Sequence, residues 1–389
     1  MRSVVALATL LLVAAGCGGP AAVLRRDGFV APSSDLEIRW RKKIVNEPLL
    51  EYKPQEFASP VIAGDRLFIG ASNGMLYALD RRDGSLLFRK QLEGGIVGRG
   101  VYADGKLYVG TQGGRLYALD ARSGNIQWTY ICKGAIASTP AVAGSLLFFS
   151  SGENRVYALE RATGGWKWQY DRESPDGFTV RGQGSPLYLN NRVFVGFSDG
   201  SLVSLKSETG ELVWTRSLAG DTSRFVDVDA TPVLWNGLLV VAGYSTGVHA
   251  IEPRDGSIKW RYDVEAAGTA SVSKERLYVT SSKTGAFALD KEGRLLWRQA
   301  LAKGGELSTP VVLGRELLFS AADDGVYIAD PTSGALRAFL RTARGTTGAP
   351  AVDGTEAFVL TNAGYVIGLG ARGSAPGKKL FDTPAMMAD

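Results

Sequence analysis

The feature that most constrains this chain is a motif that recurs eight times along it. In the first six copies, an apolar stretch is followed by a turn glycine and, four residues later, by an aromatic residue, as in Leu116–Asp120, Gly124 and Trp128. Each copy, about forty residues long, reads as short strands of Tyr, Val, Leu, Ile and Trp between glycine-rich turns. Repeats of this length with four antiparallel strands are typical of propeller blades.

The copies follow one another along the chain at similar spacing. The apolar stretches are Leu76–Asp80, Leu116–Asp120, Val156–Glu160, Leu202–Lys206, Val248–Glu252, Ala286–Asp290, Val326–Asp330 and Tyr365–Leu369. The turn glycines are Gly84, Gly124, Gly164, Gly210, Gly256, Gly293 and Gly334. Acidic residues recur at the entrance to these turns, and hydrogen bonding to the turn backbone accounts for them. The seventh copy departs at the aromatic position, where it has Ala338.

The eighth copy lacks its last strand, and a matching strand is present at the other end of the chain. Leu36–Trp40 has the pattern of an outer strand, its tryptophan included, with no blade of its own before it. Pairing of this strand with the last blade would close the ring and remove its open edges. The sequence therefore predicts an all-β fold, an eight-bladed β-propeller of four-stranded antiparallel blades, closed by an N-terminal strand that completes the last blade.

The N-terminal residues resemble a bacterial lipoprotein signal. Arg2 precedes the apolar run Val4–Val13, and small residues lead to Cys17, which stands where lipoproteins carry their acylated cysteine. Cys17 is thus the predicted lipid-attachment site, and Gly18 after it implies the outer membrane. The predicted regions are a signal peptide (1–16), a lipidated flexible tether (17–35), the propeller (36–373) and a C-terminal tail (374–389). The alternative is an ordinary secretory signal in which Cys17 has no role.

Charge and cysteine content disfavour several function classes. The formal net charge is +5 over 389 residues with scattered basic residues, which argues against nucleic acid as a partner. Apart from Cys17 the chain has only Cys132, interpreted as a buried, inert thiol. The lone His249 replaces a tyrosine of sister repeats, and we interpret it as a packing residue with no second histidine for catalysis or metal binding.

Two interblade loops are longer than the others. The outer-strand aromatic residues are 46 positions apart from Trp168 to Trp214 and again from Trp214 to Trp260. The extra residues fall in 171–182 and 219–228, at the same place in the repeat, so both loops are expected side by side on one face. They combine apolar and charged residues, as partner-docking surfaces do. Alternatively, they are long connections whose charges pair internally.

The whole chain, from the lipobox to the last blade, resembles the BamB family, the lipoprotein component of the bacterial outer-membrane β-barrel assembly machinery. The repeats are similar to the pyrroloquinoline-quinone-like propeller class. Phe178–Pro186 is similar to the family's Leu-Ser-Leu-Arg-Gly segment leading into Ser-Ala-Pro, and Arg224–Pro232 to its Arg-Leu-Ser-Asp-Val-Asp-Thr-Thr-Pro. In that family these segments bind the periplasmic POTRA region of the central barrel subunit, BamA.

This resemblance implies a docking site on the two loops. Its expected partner-binding residues are Phe178, Val180, Arg181, Arg224, Asp227 and Asp229. Phe178 and Val180 replace leucines of the family pattern, and Val226 replaces a serine. The implied protein is a non-enzymatic scaffold without a cofactor. It would be a monomer within a hetero-complex, lipid-anchored in the outer membrane and facing the periplasm.

Two other functions stay open from the sequence. One is a quinoprotein dehydrogenase that uses pyrroloquinoline quinone and calcium, whose family carries an adjacent cysteine pair and Glu, Asn and Asp ligands. This chain has no Cys-Cys pair, and its acidic residues are not spaced like a calcium-binding loop. The other is a lipid-anchored propeller that binds a different envelope component.

Overall fold

The eight repeats fold into eight sheets arranged as a ring. The computed structural model describes residues 28–30, 34–45, 55–173, 184–219, 228, 230–273, 275–301 and 305–373. Within those ranges all regular structure is β, with thirty-three strands in eight antiparallel sheets. The predicted eight-bladed β-propeller is confirmed.

The strands are numbered along the chain, from β1 (Gly28–Val30) and β2 (Leu36–Lys43) onward. Blade 1 contains β3 (Val61–Ala63), β4 (Arg66–Gly70), β5 (Met75–Asp80) and β6 (Leu86–Gln91). Blade 2 contains β7 (Val101–Ala103), β8 (Lys106–Gly110), β9 (Arg115–Asp120) and β10 (Ile126–Ile131). Blade 3 contains β11 (Ala141–Ala143), β12 (Leu146–Ser151), β13 (Arg155–Glu160) and β14 (Trp166–Asp171). Blade 4 contains β15 (Leu187–Leu189), β16 (Arg192–Gly196), β17 (Ser201–Lys206) and β18 (Leu212–Ser217).

The second half of the ring repeats this order. Blade 5 contains β19 (Val233–Trp235), β20 (Leu238–Gly243), β21 (Gly247–Ile251) and β22 (Ile258–Tyr262). Blade 6 contains β23 (Ser271–Val272), β24 (Leu277–Ser281), β25 (Gly285–Leu289) and β26 (Leu295–Gln299). Blade 7 contains β27 (Val311–Leu313), β28 (Glu316–Ala321), β29 (Gly325–Ala329) and β30 (Leu336–Arg341). Blade 8 contains β31 (Ala351–Asp353), β32 (Glu356–Leu360) and β33 (Tyr365–Ala371), and β2 completes it.

The hydrophobic core lies between neighbouring blades. One cluster joins Phe68 and Leu76 of blade 1 to Leu107, Val109 and Leu119 of blade 2, all buried. Because each middle strand is covered on both faces, its residues are apolar in succession, whereas the outer strands mix exposed and half-buried positions. Burial of a Leu, Val or Phe side chain contributes about 1.5–3 kcal/mol, so these contacts hold adjacent blades together.

The N-terminal strand closes the ring as expected. β2 pairs antiparallel with β33 from Leu36 opposite Ala371 to Lys43 opposite Tyr365, three residues beyond the predicted end at Trp40. Across the same junction Arg81 of blade 1 donates to Asp353 and Glu356 of blade 8, each at 2.6 Å.

A fifth strand on blade 7 was not predicted. β1 lies within residues 17–35, for which the sequence predicts a flexible tether, and it pairs antiparallel with β30, Gly28 opposite Arg341 and Val30 opposite Phe339. Three residues are too few to show a strand period in the sequence. The free edge of β30 provides hydrogen-bonding partners for the backbone of this segment.

The turn glycine and the tryptophan of the repeat meet between blades. Trp168 of blade 3 donates its indole N–H to the Ser207 carbonyl of blade 4 at 2.8 Å. Gly210 of that turn has φ +73°, and a Cβ on it would lie 2.6 Å from Cδ2 of Trp168. The same packing joins Trp40 to Gly84, Phe88 to Gly124, Trp128 to Gly164, Trp214 to Gly256, Trp260 to Gly293 and Trp297 to Gly334. We call this contact the Trp–Gly clasp.

The clasp explains why the seventh copy departs from the pattern. Its Ala338, which is buried, would have to pack against the turn before the outer strand of blade 8. That outer strand is β2, which comes from the N-terminus and does not follow β33 through such a turn. Blade 8 therefore has no glycine turn against which an aromatic residue of blade 7 could pack.

The acidic residues of the repeat bind the turn backbone, as predicted. Asp120 accepts hydrogen bonds from the backbone N–H groups of Arg122 at 3.1 Å and Ser123 at 2.7 Å. Hydrogen bonds from the Ser123 hydroxyl and backbone lower the pKa of Asp120. Asp290 and Asp330 bind their turns in the same way.

Candidate functional site

The side chains predicted to bind the partner lie outside the described residues, and the ends of their loops lie within them. The residues concerned are Phe178, Val180, Arg181, Arg224, Asp227 and Asp229, together with the predicted lipid-attachment residue Cys17. Their roles stay predictions. What the structure provides is the geometry of the points from which the two loops leave the ring.

The first loop begins at Arg172, directly after β14. Its Nε donates to Asp199 Oδ2 at 2.6 Å and its Nη2 to Ser201 Oγ at 3.0 Å. The guanidinium carbon also lies 5.9 Å from the ring centroid of Phe197. Burial opposes the charge, but the hydrogen bond and the charge of Asp199 raise the pKa of Arg172, which therefore stays protonated. The start of the loop is thereby fixed to blade 4.

The first loop ends at Gly184 and Ser185, which are held by blade 3. The Ser150 hydroxyl donates to the Gly184 carbonyl at 2.5 Å. The backbone N–H of Thr139 donates to Ser185 Oγ at 2.8 Å. These two hydrogen bonds hold the end of the first loop on blade 3 before β15 begins.

The second loop is anchored at Val228, which lies in sequence between Asp227 and Asp229. Val228 is fully buried, and its N–H donates to the Phe197 carbonyl at 3.1 Å. It packs directly on Gly196, where any Cβ would collide with the Val228 carbonyl. Ile96 and Ile136 occupy the matching place against Gly70 and Gly110 in earlier blades.

The described ends of the two loops meet at one point. A Cβ on Gly184 would lie 2.8 Å from the Gly196 carbonyl oxygen and 3.1 Å from that of Val228. Gly196 at the end of β16 therefore contacts both the last part of the first loop and the anchor of the second. Two segments that are 44 positions apart in sequence, at Gly184 and Val228, share one attachment to the ring.

Sequence reasoning missed both anchors. The signal for Val228 was present, because it aligns with Ile96 and Ile136 of the shorter loops. Arg172 had no such signal, since its partners Asp199 and Ser201 belong to a turn of the next blade.

Two titratable residues that the sequence analysis singled out, His249 and Cys132, are at least partly buried. His249 is 2% exposed and its Nε2 lies 2.8 Å from the Thr246 carbonyl, as expected of a packing residue. Cys132 follows β10 and is half-buried, and burial raises the pKa of its thiol to about 11. In the described ranges, no three His, Cys, Asp or Glu residues come close enough together to hold a metal ion.

The described portion of the chain contains no helix with the length and apolar character needed to cross a bilayer.

Comparison with known proteins gives consistent matches. The family model of the outer membrane protein assembly factor BamB matches residues 92–251 and 245–376. BamB of Legionella pneumophila is 39% identical over 323 residues, which cover 81% of this chain and 84% of the relative. BamB of Alkalilimnicola ehrlichii is 32% identical over 156 residues, 39% of this chain and 40% of the relative.

Solved structures share the propeller. BamB from Moraxella catarrhalis superposes with a TM-score of 0.76 at 21% identity, covering 86% of this chain and 99% of that one. A quinohemoprotein alcohol dehydrogenase from Pseudomonas putida HK5 superposes with a TM-score of 0.67 at 16% identity, covering 91% and 78%. At these identities the similarity shows the fold alone.

Proposed function

The chain belongs to the family of the outer membrane protein assembly factor BamB, and on that premise we propose how it acts within outer-membrane protein assembly. It is a component of the assembly machinery. Its role is that of a non-enzymatic scaffold, anchored by acyl chains on Cys17 to the outer membrane and facing the periplasm. The ring offers a rigid support, and the two long loops make the contact.

The proposed partner is the POTRA region of a BamA-type barrel subunit. Phe178 and Val180 supply apolar area that loses water on binding, whereas Arg181, Asp227 and Asp229 set the orientation by charge pairing. Arg224 adds a second basic group on the neighbouring loop. No chemical step is involved, and the scaffold favours barrel assembly by holding components together.

The observation that carries this proposal is the shared attachment of the two loops at Gly196. Because Gly184 and Val228 meet there, the segments that resemble the family's docking motifs start from adjacent points of one face. Arg172 and Val228 fix the described backbone next to the two segments, and a backbone that is held before binding loses less entropy on binding.

The test is capture of the barrel subunit from detergent-solubilised envelopes with the intact lipoprotein and with Arg181→Ala/Asp227→Ala. We expect the double variant to lose at least about tenfold in affinity, because charges desolvated at an interface are costly to leave unpaired. The matched control is Lys206→Ala/Glu211→Ala. It removes an exposed 2.6 Å ion pair at the opposite end of blade 4 and should bind normally.

Other results would change the proposal in defined ways. Equal capture by both variants would keep the partner and refute the choice of residues. Failure of the unmodified protein to capture the barrel subunit would refute the partner and favour a propeller that binds another envelope component.

A second candidate, a quinoprotein-like dehydrogenase, is supported only by the shared fold. The chain does not provide the residues that such a site uses, since its two cysteines, Cys17 and Cys132, are not adjacent. We therefore derive no reaction step from it.

A further inference from the structure

The rim of the ring is unevenly charged. The fourth strands of blades 7, 8 and 1 are β30, β2 and β6, and the edge of β30 is covered by β1. Their sequences are LRAFLR, LEIRWRKK and LLFRKQ, which contain eight basic residues and one acidic residue. The blades directly across the ring are 3, 4 and 5. Their outer strands, β14, β18 and β22, contain four basic residues and one acidic residue.

Most of this charge lies at one end of the outer strands. Arg41, Lys42 and Lys43 form the exposed last part of β2, and Arg89 of β6 is also exposed. We define the basic sector as the charged residues at this end of the three strands: Arg341, Arg41, Lys42, Lys43, Arg89 and Lys90. Arg337 is not part of the sector, because it lies at the other end of β30, where it pairs with Asp330 and Glu316.

The basic sector is held at the surface by the sheet beneath it. The Arg41 guanidinium lies 3.9 Å above the ring centroid of Tyr365, and Lys43 Nζ lies 5.2 Å from it. Glu37, the one acidic residue of β2, pairs with Arg39 at 3.4 Å nearer the start of the strand. The exposed end of β2 therefore carries three cationic side chains in succession.

The N-terminal segment enters the ring at this same place. β1 lies along the outer edge of blade 7 with Gly28 opposite Arg341, and β2 forms the outer edge of blade 8. Between Cys17 and Gly28 lie eleven peptide units, which span at most about 40 Å when fully extended. Acyl chains on Cys17 would therefore keep the edge of blade 7 within that distance of the bilayer.

We propose that the basic sector docks on anionic phospholipid headgroups and sets the rim of blades 7, 8 and 1 against the membrane that anchors the chain. This inference rests on the lipid anchor of the proposed function. Charge complementarity and the short tether both select a lipid surface as the occupant. Each Lys or Arg close to an anionic bilayer strengthens membrane binding by about fivefold, so several on one rim suffice for orientation.

The membrane-docking rim and the attachment of the two long loops lie on opposite sides of the ring. In a ring of eight blades, blade 8 lies across from blade 4. The two long loops attach at Gly196 of blade 4, so docking at blade 8 places their attachment across the ring from the anchored rim. The protein would then bridge the distance between the bilayer and a periplasmic partner with its full diameter.

The experiment uses the mature full-length chain with Cys17→Ser, because the acyl chains would mask the electrostatic contribution. Its binding is measured by sedimentation with vesicles of phosphatidylcholine plus phosphatidylglycerol and with vesicles of phosphatidylcholine alone. We expect binding to the anionic vesicles only, and its loss at high salt. Arg41→Gln/Lys42→Gln/Lys43→Gln should weaken it by about tenfold or more.

Two further variants keep the test decisive. Arg89→Gln/Lys90→Gln changes blade 1 and leaves the closing strand intact. If this variant also binds the anionic vesicles less tightly, though by a smaller factor than the triple variant, the loss of affinity cannot come from an opened ring. Lys167→Gln/Arg216→Gln/Lys259→Gln removes three cations from the opposite rim and should bind like the parent chain. All variants are checked by thermal unfolding.

Several outcomes would overturn the proposal. These are equal binding to both vesicle types, no binding to either, or an equal loss with the opposite-rim variant. Because the vesicles contain no protein, this result is independent of partner capture. Capture of the barrel subunit that persists in the basic-sector variants would show that the two surfaces act separately.

Discussion

At the scale of single residues, His249 shows how burial ties stability to pH. Burial lowers its pKa, Arg261 lowers it further, and the hydrogen bond to Thr246 and the charge of Asp263 oppose the shift. Its Nδ1 has no hydrogen-bond partner among the described residues. A proton added there would leave a buried charge with an unmatched donor, so the folded protein favours the neutral ring.

The sign of the resulting pH dependence follows from linkage. In the unfolded chain the histidine titrates near pH 6.5, whereas the folded pKa lies lower. Below about pH 6.5 the unfolded state thus binds more protons than the folded state. The free energy of unfolding therefore decreases as the pH is lowered, by at most about 1.4 kcal/mol per pH unit.

We predict that His249→Tyr removes this contribution, since tyrosine fills the same position in four sister blades, as Tyr77, Tyr117, Tyr157 and Tyr327. Urea unfolding at pH 7.5 and pH 5.0 measures it. Between those values the free energy of unfolding should fall further for the unmodified protein than for the variant, by at most about 2 kcal/mol, because carboxylate titrations are common to both. Parallel pH profiles would show that His249 is protonated in the fold or does not control stability.

At the scale of elements, the Trp–Gly clasp turns a sequence repeat into a ring. Each tryptophan crosses from the outer strand of its own blade to the turn of the next, and glycine is required there by its positive φ and by the indole above it. Trp40 extends the series across the closure to Gly84, with its indole N–H donating to the Arg81 carbonyl at 2.9 Å.

We predict that Gly210→Ala destabilises the protein more than Gly105→Ala. Both glycines have similar φ, +73° and +76°, but a Cβ on Gly105 would have nothing within 4 Å. Each substitution places an alanine in the left-handed backbone region, which destabilises the protein by about 1–2 kcal/mol. Overpacking against Trp168 adds about 1–3 kcal/mol for Gly210 alone. Chemical denaturation gives both values, and an equal loss would mean that the indole moves aside without cost.

At the scale of the whole molecule, stability depends on a strand from the opposite end of the chain. Without β2 the edge of β33 would be exposed, Trp40 would leave the turn of Gly84, and blade 8 would lack its outer cover. Arg81 would still bind Asp353 and Glu356. An open sheet edge is a template for pairing with other chains.

We predict that a chain starting at residue 46 melts at least about 10 °C lower and self-associates. Calorimetry and size-exclusion chromatography measure these effects. A chain ending at residue 373 retains every described strand and is the control, with a melting temperature within about 2 °C of the parent. Addition of a peptide spanning residues 28–45, which contains β1 and β2, should restore the monomer. A truncated chain that stays monomeric with an unchanged melting temperature would contradict this account of closure.

Much of the architecture could be predicted from the sequence because its signals are local and repeated. The strand patterns, turn glycines and turn acids each act within a few residues, and eight copies make their phase unmistakable. The match of Leu36–Trp40 to the missing outer strand also needed only the comparison of repeats. The candidate docking residues came from loop length and from the family resemblance, and their contacts stay predictions.

What the sequence determined by itself was therefore the blade, the number of blades and the identity of the closing strand. The tertiary structure decided which residues meet across blades, because partners such as Arg172 with Asp199, or Gly184 with Val228, are set by neighbours that no local pattern reveals. It also placed β1 on blade 7, since a three-residue strand exists only where a free edge accepts it. Local propensity determines the strands and turns, whereas packing between distant segments determines which residues lie together on the surface of the ring.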